Sequence, residues 1–427
     1  MMRTLIHQTV LLSASHFFVR AIGFIMRIWL SRELGAPAMG LVELAQSAQM
    51  LLITPVTSGL PAAVSRMCAK AEPPRRVRIL RCALGLSLAA GLLVTAAAYI
   101  LRVPLALWLG DIRTLPALMI YLPCIPVLGL SCALNGYCYG SGKPLMPAIS
   151  EILEQIVRFL LCMRLVRLLS GWPMTLRAAI PALGALAGET AGLLLMLLPA
   201  VPLLVCARGE GSRRTTLFEM LGLALPLTGM KLASSLMRTV QSALIPVRLQ
   251  LSGLSAQESL SRLGMLNGMA MPVLMLPSFI TCSLCMVAAP EMARRQAEGK
   301  PQKRLALRIL GAALAVGLCA MAAVFLLAPL LAERLYRQAE LLPLLRRCCV
   351  LVPVMALSQV TGGLMNGLGM QGKSLRIALA SNLLSVLLMF MLTAQPALRL
   401  YGAVIAIAAA QALSLCLNLR ALLWSVS

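Results

Sequence analysis

The chain has few of the residues that cover the surface of a soluble protein. Only 12% of its 427 residues are charged, 4% are aromatic and two are histidine, whereas 60% are hydrophobic. So little charge leaves too little polar surface to keep a folded chain of this size in solution. Two histidines also provide few ligands for a metal centre. The composition therefore excludes an ordinary soluble protein and indicates a membrane protein.

Long apolar segments recur along the whole chain. A helix needs about 20 apolar residues to cross a bilayer. Nine runs without Asp, Glu, Lys or Arg are close to that length or longer: 44–65, 82–101, 114–142, 190–207, 263–290, 309–332, 348–372, 377–398 and 400–419. Three more apolar segments contain charges: 10–30, 149–170 and 217–247. The sequence therefore predicts an all-α polytopic membrane protein with about 12 transmembrane helices.

The net charge of +24 would suggest a nucleic-acid partner if the chain were soluble. However, the basic residues gather in short loops, including residues 70–81, 208–214 and 294–308. Such loops are typical of the cytoplasmic side of a membrane, and an even number of helices then places both termini in the cytoplasm. Aromatic residues are scarce and no nucleic-acid motif accompanies the charge, so we predict no nucleic-acid partner.

Two motifs resemble catalytic or cofactor sites. Cys282 and Cys285 form a C-x-x-C in the middle of an apolar helix, with no second pair and no histidine nearby, so no metal site is predicted. Residues 367–374 match the P-loop pattern G-x4-G-K-[ST], but they connect two apolar helices rather than a strand and a helix. We interpret them as an interhelical turn. The sequence contains no recognisable nucleophile and base, and it predicts neither an enzyme nor a cofactor.

Two similar turns indicate an internal repeat. The turn around Asn135 ends the predicted fourth helix, and the turn around Asn366 ends the tenth, an offset of 231 residues. A repeat of six helices keeps the same orientation in the membrane, so the two halves are predicted to be parallel repeats. The sequence therefore predicts an N-terminal six-helix lobe of residues 1–210 and a C-terminal six-helix lobe of residues 211–427.

Four of the cations within the predicted transmembrane helices form two matching pairs. Arg20 and Arg27 are seven residues apart on the first helix, and Lys231 and Arg238 repeat this spacing on the seventh. Seven residues are two helical turns, so both cations of a pair share one face. A cation in hydrocarbon costs roughly 2.5 to 3.5 kcal/mol and persists where it faces protein, water or a ligand. We therefore predict that these four side chains line a cationic cavity and bind an anionic substrate.

The four cations have an alternative explanation, and the acidic residues of the helices have possible roles of their own. The four cations could instead reach the membrane surface or pair with Glu43 and Glu219. Glu154 and Arg158 are four residues apart and are predicted to neutralise each other. Glu189 is predicted to stand alone in apolar surroundings, where it would carry a proton or form a hydrogen bond to a neighbouring helix. Glu43 and Glu189 are accordingly the candidates for proton or ion coupling.

Several segments resemble one family of transporters. They are residues 23–40 (GFIMRIWLSRELGAPAMG), 58–66 (SGLPAAVSR), 142–158 (GKPLMPAISEILEQIVR) and 245–249 (IPVRL). These resemble the stage V sporulation protein B type of polysaccharide transporter, in the multidrug, oligosaccharidyl-lipid and polysaccharide exporter superfamily. The resemblance implies two six-helix lobes around a central V-shaped cavity. It also implies a flippase of the bacterial cytoplasmic membrane that moves a lipid-linked glycan precursor by alternating access.

A lipid-linked glycan precursor fits the predicted cations, because its pyrophosphate and sugar head group cannot cross hydrocarbon unaided. Fixed cations would offset the dehydration of the pyrophosphate. The predicted partners are this precursor, membrane lipids and other proteins of cell-envelope biosynthesis. Two alternatives are a multidrug or cation antiporter of the same superfamily, which would need acidic residues in its cavity, and a noncatalytic scaffold in envelope or spore assembly.

Overall fold

The computed structural model describes residues 2–206 and 212–426. For some of these residues the structure describes the backbone but not the side chain: residues 2–14, 16, 203, 205, 206 and 426. The described residues form helices joined by short turns and contain no strand, which confirms the predicted all-α class.

The helices of the first half of the chain follow one another closely. They are α1 Met2–Leu34, α2 Ala36–Thr57, α3 Leu60–Lys70, α4 Pro73–Ile100, α5 Arg102–Trp108, α6 Leu115–Tyr121, α7 Cys124–Gly140, α8 Leu145–Leu168, α9 Met174–Arg177, α10 Ile180–Cys206 and α11 Arg213–Leu251. A 3₁₀ turn, Ile112–Thr114, precedes α6, and the Asp111 carboxylate begins it by accepting a hydrogen bond from the Arg113 main-chain N–H at 2.9 Å.

The second half is also helical, with two short π-helical segments. Its elements are α12 Ala256–Leu263, the π-helix Gly264–Ala270, α13 Met271–Leu274, α14 Ser278–Ala297, α15 Lys303–Pro329, the π-helix Leu330–Leu335, α16 Leu341–Cys348, α17 Leu351–Gly367, α18 Gln371–Leu392 and α19 Leu400–Val426. A capping box begins α12, in which Ser255 and Glu258 each accept a hydrogen bond from the other's main-chain N–H.

The chain packs as two compact units. Unit 1 comprises Met1–Met26 and Leu41–Thr239, and unit 2 comprises Arg27–Gly40 and Val240–Ser427. The three divisions therefore fall inside α1, just before Arg27, inside α2, just after Gly40, and inside α11, just after Thr239. The predicted lobe boundary, between residues 210 and 211, lies outside the described residues, so the six-helix lobes stay a prediction.

The helices are long and apolar enough for a multi-pass membrane protein. Among the described residues seven qualify as membrane spans by length and hydropathy, or up to ten if each of three bent helix pairs is one span. Within the described residues, most of each of the twelve predicted segments lies on one helix or on consecutive helices. Two are not among the ten: α1, and α8 with its five charged residues. The count of twelve spans therefore stays a prediction.

In unit 1, α7 packs against α3 and α4, and α8 packs against α10. Small residues allow these close approaches. A β-carbon on Gly91 of α4 would lie 2.7 Å from the Pro126 Cα of α7, and one on Gly140 of α7 would lie 2.5 Å from the Ser65 carbonyl oxygen of α3. Glycine is therefore required at both positions.

Unit 2 repeats this arrangement, because α17 packs against α14 and α15, and α18 packs against α19. A β-carbon on Gly317 of α15 would lie 2.7 Å from the Pro353 Cα of α17. One on Gly367 of α17 would lie 2.8 Å from the Ala289 Cα of α14. The same helix pairs thus meet through the same kind of close glycine approach in both units.

The register of this repeat differs from the predicted one. Gly142 and Gly369 end α7 and α17 with φ of +73° and +75°. The next residue in each case closes the turn with a main-chain hydrogen bond, Lys143 to Cys138 at 2.8 Å and Met370 to Met365 at 2.9 Å. These turns are 227 residues apart (369 minus 142), so the predicted offset of 231 is wrong. The error of four residues is about one helical turn, which leaves the pattern of faces almost unchanged.

Candidate functional site

Arg27 is held within unit 2 by main-chain carbonyl groups. Its Nε donates to the Gly268 oxygen at 3.1 Å, and its Nη2 donates to the Asn267 oxygen at 2.9 Å. Both acceptors belong to the π-helix Gly264–Ala270, where the wider turn disturbs the usual pairing of main-chain groups. The guanidinium is half-buried, and it fixes the second half of α1 to this segment.

The other three predicted cations, Arg20, Lys231 and Arg238, belong to unit 1, and all are exposed. Next to Arg238 on α11, Thr239 is buried. Its hydroxyl donates to the Ser47 main-chain oxygen at 2.9 Å. Exposure leaves these cations accessible, which binding of a head group requires. Their role as substrate ligands stays a prediction, and so does that of Arg27.

An ion-pair triad lies in unit 1 between α8 and α10. The Arg158 Nη2 is 2.5 Å from a Glu154 carboxylate oxygen and 3.2 Å from a Glu189 carboxylate oxygen. All three side chains are at most 21% exposed. The predicted pairing of Glu154 with Arg158 is confirmed, whereas the prediction that Glu189 stands alone is wrong. Two carboxylates and one guanidinium give the triad a formal charge of −1.

The sequence does contain a sign that another helix packs beside Glu189, which is a row of glycines on the same helix. Gly184, Gly188 and Gly192 recur every four residues along one face of α10. A β-carbon on Gly188 would lie 2.6 Å from the Glu154 carbonyl oxygen, so the two backbones are in close contact. Such a row typically marks a helix–helix contact within a membrane. Hydropathy and charge spacing missed it, although it could have shown that another helix faces Glu189.

Two further charges of unit 1, those of Lys231 and Glu151, act on a thiol that also feels the triad. Lys231 and the carboxylates of Glu151, Glu154 and Glu189 all act electrostatically on the Cys132 thiol of α7. One of the predicted substrate-binding cations therefore belongs to the same charged neighbourhood as the triad. Electrostatic forces of this kind are strong only where water is partly excluded.

The second coupling candidate, Glu43, is half-buried in the same unit. Glu43 and Arg158 both act electrostatically on the buried Tyr121 hydroxyl of α6. Glu219, the other expected partner of the cations on α1 and α11, is instead paired with Arg75 at 3.1 Å. The roles of Glu43 and Glu189 in coupling stay predictions.

The two motifs that resembled cofactor sites have structural roles. The P-loop match connects α17 to α18 through Gly369, which confirms its interpretation as an interhelical turn. Cys282 and Cys285 are free and lie on α14. Among the described residues no group of three or more His, Cys, Asp or Glu side chains could hold a metal ion.

The fold of the chain is that of known membrane transporters, and this defines the class of protein to which it belongs. A multidrug resistance MATE family transporter of the MOP superfamily, in an inward-facing conformation, has a TM-score of 0.79 at 17% identity, over 94% of this chain and 92% of that one. The lipid II flippase MurJ, in an inward closed conformation, has a TM-score of 0.76 at 12% identity, over 97% of this chain and 87% of that one. At such identities the likeness shows the fold alone.

The sequence narrows this class to one family. The chain belongs to the polysaccharide biosynthesis protein family, whose model matches residues 5–296. Stage V sporulation protein B of Bacillus subtilis (strain 168) is 26% identical to it over 436 residues, which cover 95% of this chain and 81% of the relative. The predicted family resemblance is confirmed, and the two solved structures named above are a transporter and a flippase.

Proposed function

We propose that the chain is a flippase that moves a lipid-linked oligosaccharide, polysaccharide or peptidoglycan precursor across the bacterial cytoplasmic membrane by alternating access. The observation that carries the proposal is the set of exposed cations, Arg20, Lys231 and Arg238, on apolar helices of a polysaccharide biosynthesis family member. One solved neighbour with the same fold is named as a lipid II flippase, which supports a lipid-linked substrate for this chain. Membrane lipids and other proteins of cell-envelope biosynthesis are the further partners that this function needs.

The proposed roles of the four cations differ. Arg20 and Arg238 offer a planar pair of donors suited to a phosphate, whereas Lys231 offers a point charge. Arg27 contributes its charge, but two of its N–H groups already donate to main-chain oxygens. We rank Arg20 and Lys231 as the principal ligands of the pyrophosphate because they lie nearest the middle of α1 and α11.

The triad supports a proposal for energy coupling. Because Glu154, Arg158 and Glu189 together carry a charge of −1, uptake of one proton or monovalent cation would neutralise them. Glu189 is proposed as the coupling carboxylate, and Glu43 as a second one. The excess carboxylate of the triad also favours the alternative function, a multidrug or cation antiporter, because such a transporter needs acidic residues within its transmembrane helices.

The topology that we propose places both termini in the cytoplasm. The basic loops at residues 70–81 and 294–308, together with Lys143 and Lys373, would then face the cytoplasm. Single cysteines introduced at Lys143 or Lys373 into a chain without native cysteines should resist impermeant maleimide in intact cells. Labelling of either position from outside would reverse the proposed orientation.

A reconstitution assay tests the proposed function. Vesicles containing the protein and a fluorescent lipid-linked pyrophosphate sugar would report transbilayer movement through quenching by an impermeant reductant. Replacing Arg20 and Lys231 together by Ala should lower the rate at least about tenfold, since a hydrogen bond to a charged group contributes roughly 1.5 to 3 kcal/mol. Arg20→Lys should retain part of the rate because the charge remains.

A matched control removes the same two charges from a different place in the chain. The pair Arg376→Ala and Lys373→Ala also removes one arginine and one lysine, from the start of α18, and should flip at the rate of the unmodified protein. Full activity of the Arg20 and Lys231 double variant would refute the proposed ligands. An antiporter would tolerate that variant and would instead lose drug efflux on Glu43→Gln or Glu189→Gln.

A further inference from the structure

Unit 1 contains a basic cavity that the proposed transport function does not use. It has a volume of about 590 Å³ and lies between the end of α3, the start of α4 and the first turns of α11. Arg66, Lys70 and Arg75 supply its cations, and Glu219 supplies its carboxylate. The buried side chain of Ile79 lines its apolar part. A pocket with charged and apolar walls suits an amphipathic ligand.

The cavity lies where three candidate membrane spans begin or end. The span Ala36–Lys70 ends at its rim, the span Pro73–Ile100 begins after a short turn, and the span Arg213–Leu251 begins within two turns of Glu219. The ends of spans lie at the level of the lipid head groups. The cavity is therefore placed where phospholipid phosphates are concentrated.

The charges of the cavity favour an anion. Three cations against one carboxylate leave a formal charge of +2. Arg75 is paired with Glu219 at 3.1 Å, but both side chains are about half exposed, so a phosphate can replace this carboxylate at low cost. Arg66 and Lys70 are exposed, and in the described part of the chain neither has an ion-pair partner within 4.0 Å. Both can contact a phosphate without breaking another ion pair.

The apolar side of the cavity continues along α11. A β-carbon on Gly222, which lines the cavity, would meet no atom within 4 Å. Phe218 and Leu225 lie four residues before and three residues after it, so the three share one face of the helix. These two side chains are 64% and 61% exposed. The gap at Gly222 between two large apolar side chains has the form of a groove for an acyl chain.

We propose that this cavity binds an anionic membrane phospholipid. Arg66, Lys70 and Arg75 bind its phosphate head group, and the face around Gly222 holds one acyl chain. A basic pocket between transmembrane helices is the general form of a site for an anionic lipid. The apolar groove favours a lipid over free phosphate as the source of the anion. The site is separate from the ligands proposed for flipping.

Binding can be measured on the purified full-length protein by thermal unfolding in neutral detergent. Dioctanoyl phosphatidylglycerol should raise the Tm in a saturable manner, whereas dioctanoyl phosphatidylcholine and inorganic phosphate at the same concentration should not. Arg66→Gln with Lys70→Gln should raise the apparent Kd at least about tenfold, the loss expected for one charge-assisted hydrogen bond of about 1.5 kcal/mol. The matched variant Arg376→Gln with Lys373→Gln should bind like the unmodified protein.

A second variant separates the head-group contacts from the acyl groove. Gly222→Leu keeps every cation and fills only the open space, so it should fold normally and weaken phosphatidylglycerol binding. Native mass spectrometry, which counts retained lipids, gives an independent measure for each variant. Equal shifts with phosphatidylglycerol and phosphatidylcholine would overturn the proposal. Saturation by inorganic phosphate alone would replace the lipid with a free anion, and unchanged binding by both variants would exclude this cavity.

Discussion

The two units share their helix packing but differ in the polar groups that they bury. In unit 1, Arg158 lies between the carboxylates of Glu154 and Glu189. In unit 2, the corresponding helices α18 and α19 contain no such triad among the described residues, and the neighbouring polar contact joins the hydroxyl groups of Ser358 and Ser414 at 3.4 Å. Small residues therefore determine how the helices pack, whereas charges can be added to one unit without altering that packing.

The basic residues around the α3–α4 turn of unit 1 and at the end of α14 in unit 2 show a similar contrast. In unit 1 the cations around the α3–α4 turn line an open cavity, where Arg75 is paired with Glu219. In the last turns of α14 in unit 2, Arg294 and Arg295 both contact Glu291 on their own helix, at 2.9 Å. Cations satisfied within one helix have less free energy to gain from a ligand. The asymmetry supports a ligand-binding role for the basic residues of unit 1.

The largest expected effect comes from breaking the charged triad. Arg158→Leu would leave two carboxylates, each at most 15% exposed, without their common partner. Loss of one member of a buried ion pair costs about 3 to 5 kcal/mol, so thermal unfolding in detergent should show a large decrease in Tm. Asn418→Leu in α19, which removes a 3.4 Å contact with Ser414, should cost only about 1 kcal/mol.

A neutral version of the triad provides the control. Glu154→Gln and Glu189→Gln combined with Arg158→Leu removes all three charges, and most of the lost Tm should return. If Arg158→Leu alone lowered the Tm no more than Asn418→Leu, the charged triad of unit 1 would contribute no more to stability than the polar contact of unit 2.

An intermediate effect is expected at the equivalent glycines of the two units. Gly91→Ala and Gly317→Ala would each place a methyl group 2.7 Å from a proline Cα, which forces the helices apart. Overpacking of this kind costs about 1 to 3 kcal/mol, and the two variants should lose similar stability in the same unfolding assay.

The matched controls lie six residues earlier on the same helices. Gly85→Ala in α4 and Gly311→Ala in α15 would meet no atom within 4 Å, so they should be neutral or slightly stabilising through helix propensity. A large loss at Gly91 with none at Gly317 would show that the two units do not share this close approach.

The smallest effect concerns the turns that define the repeat. Gly142→Ala and Gly369→Ala would each force a β-carbon into the left-handed region, at φ of +73° and +75°, and each should cost about 1 to 2 kcal/mol. Gly372→Ala, three residues after Gly369, has open space and no positive φ, and should have little effect on the Tm. Unequal costs for Gly142 and Gly369 would argue against the offset of 227 residues.

The helices were more predictable from the sequence than their relative registers. Within the described residues, most of every predicted apolar segment lies on one helix or on consecutive helices, because a run of about 20 apolar residues must satisfy its own main-chain hydrogen bonds in a membrane. The pair Glu154–Arg158 was also predictable, since it depends only on the period of one helix. The contact between Arg158 and Glu189 joins residues 31 apart on two helices. Its formation depends on how those helices rotate against each other, which periodicity alone does not determine.

The bends and π-helical segments were not predictable for a related reason. Gly264–Ala270 lies within an unbroken apolar run, 263–290, so nothing in its hydropathy indicates a change of helix type. The wider turn is stabilised by distant residues, among them Arg27. Similarly, the Asn-Gly pairs at residues 135 and 366 favoured the wrong repeat offset, and only the turn geometry corrected it.

The hydrogen bonds of Arg27 also bear on the order in which the chain is made. Its acceptors, Asn267 and Gly268, lie 240 and 241 residues later in the sequence. At about 5 to 20 residues per second, the ribosome needs roughly 10 to 50 s to synthesise the intervening chain. During that interval residues 27–40 are in or near the membrane without the segment against which they finally pack. Unit 2 thus combines an early segment with residues that lie about 200 positions or more further along the chain, and it cannot be completed before the helices that contain them emerge.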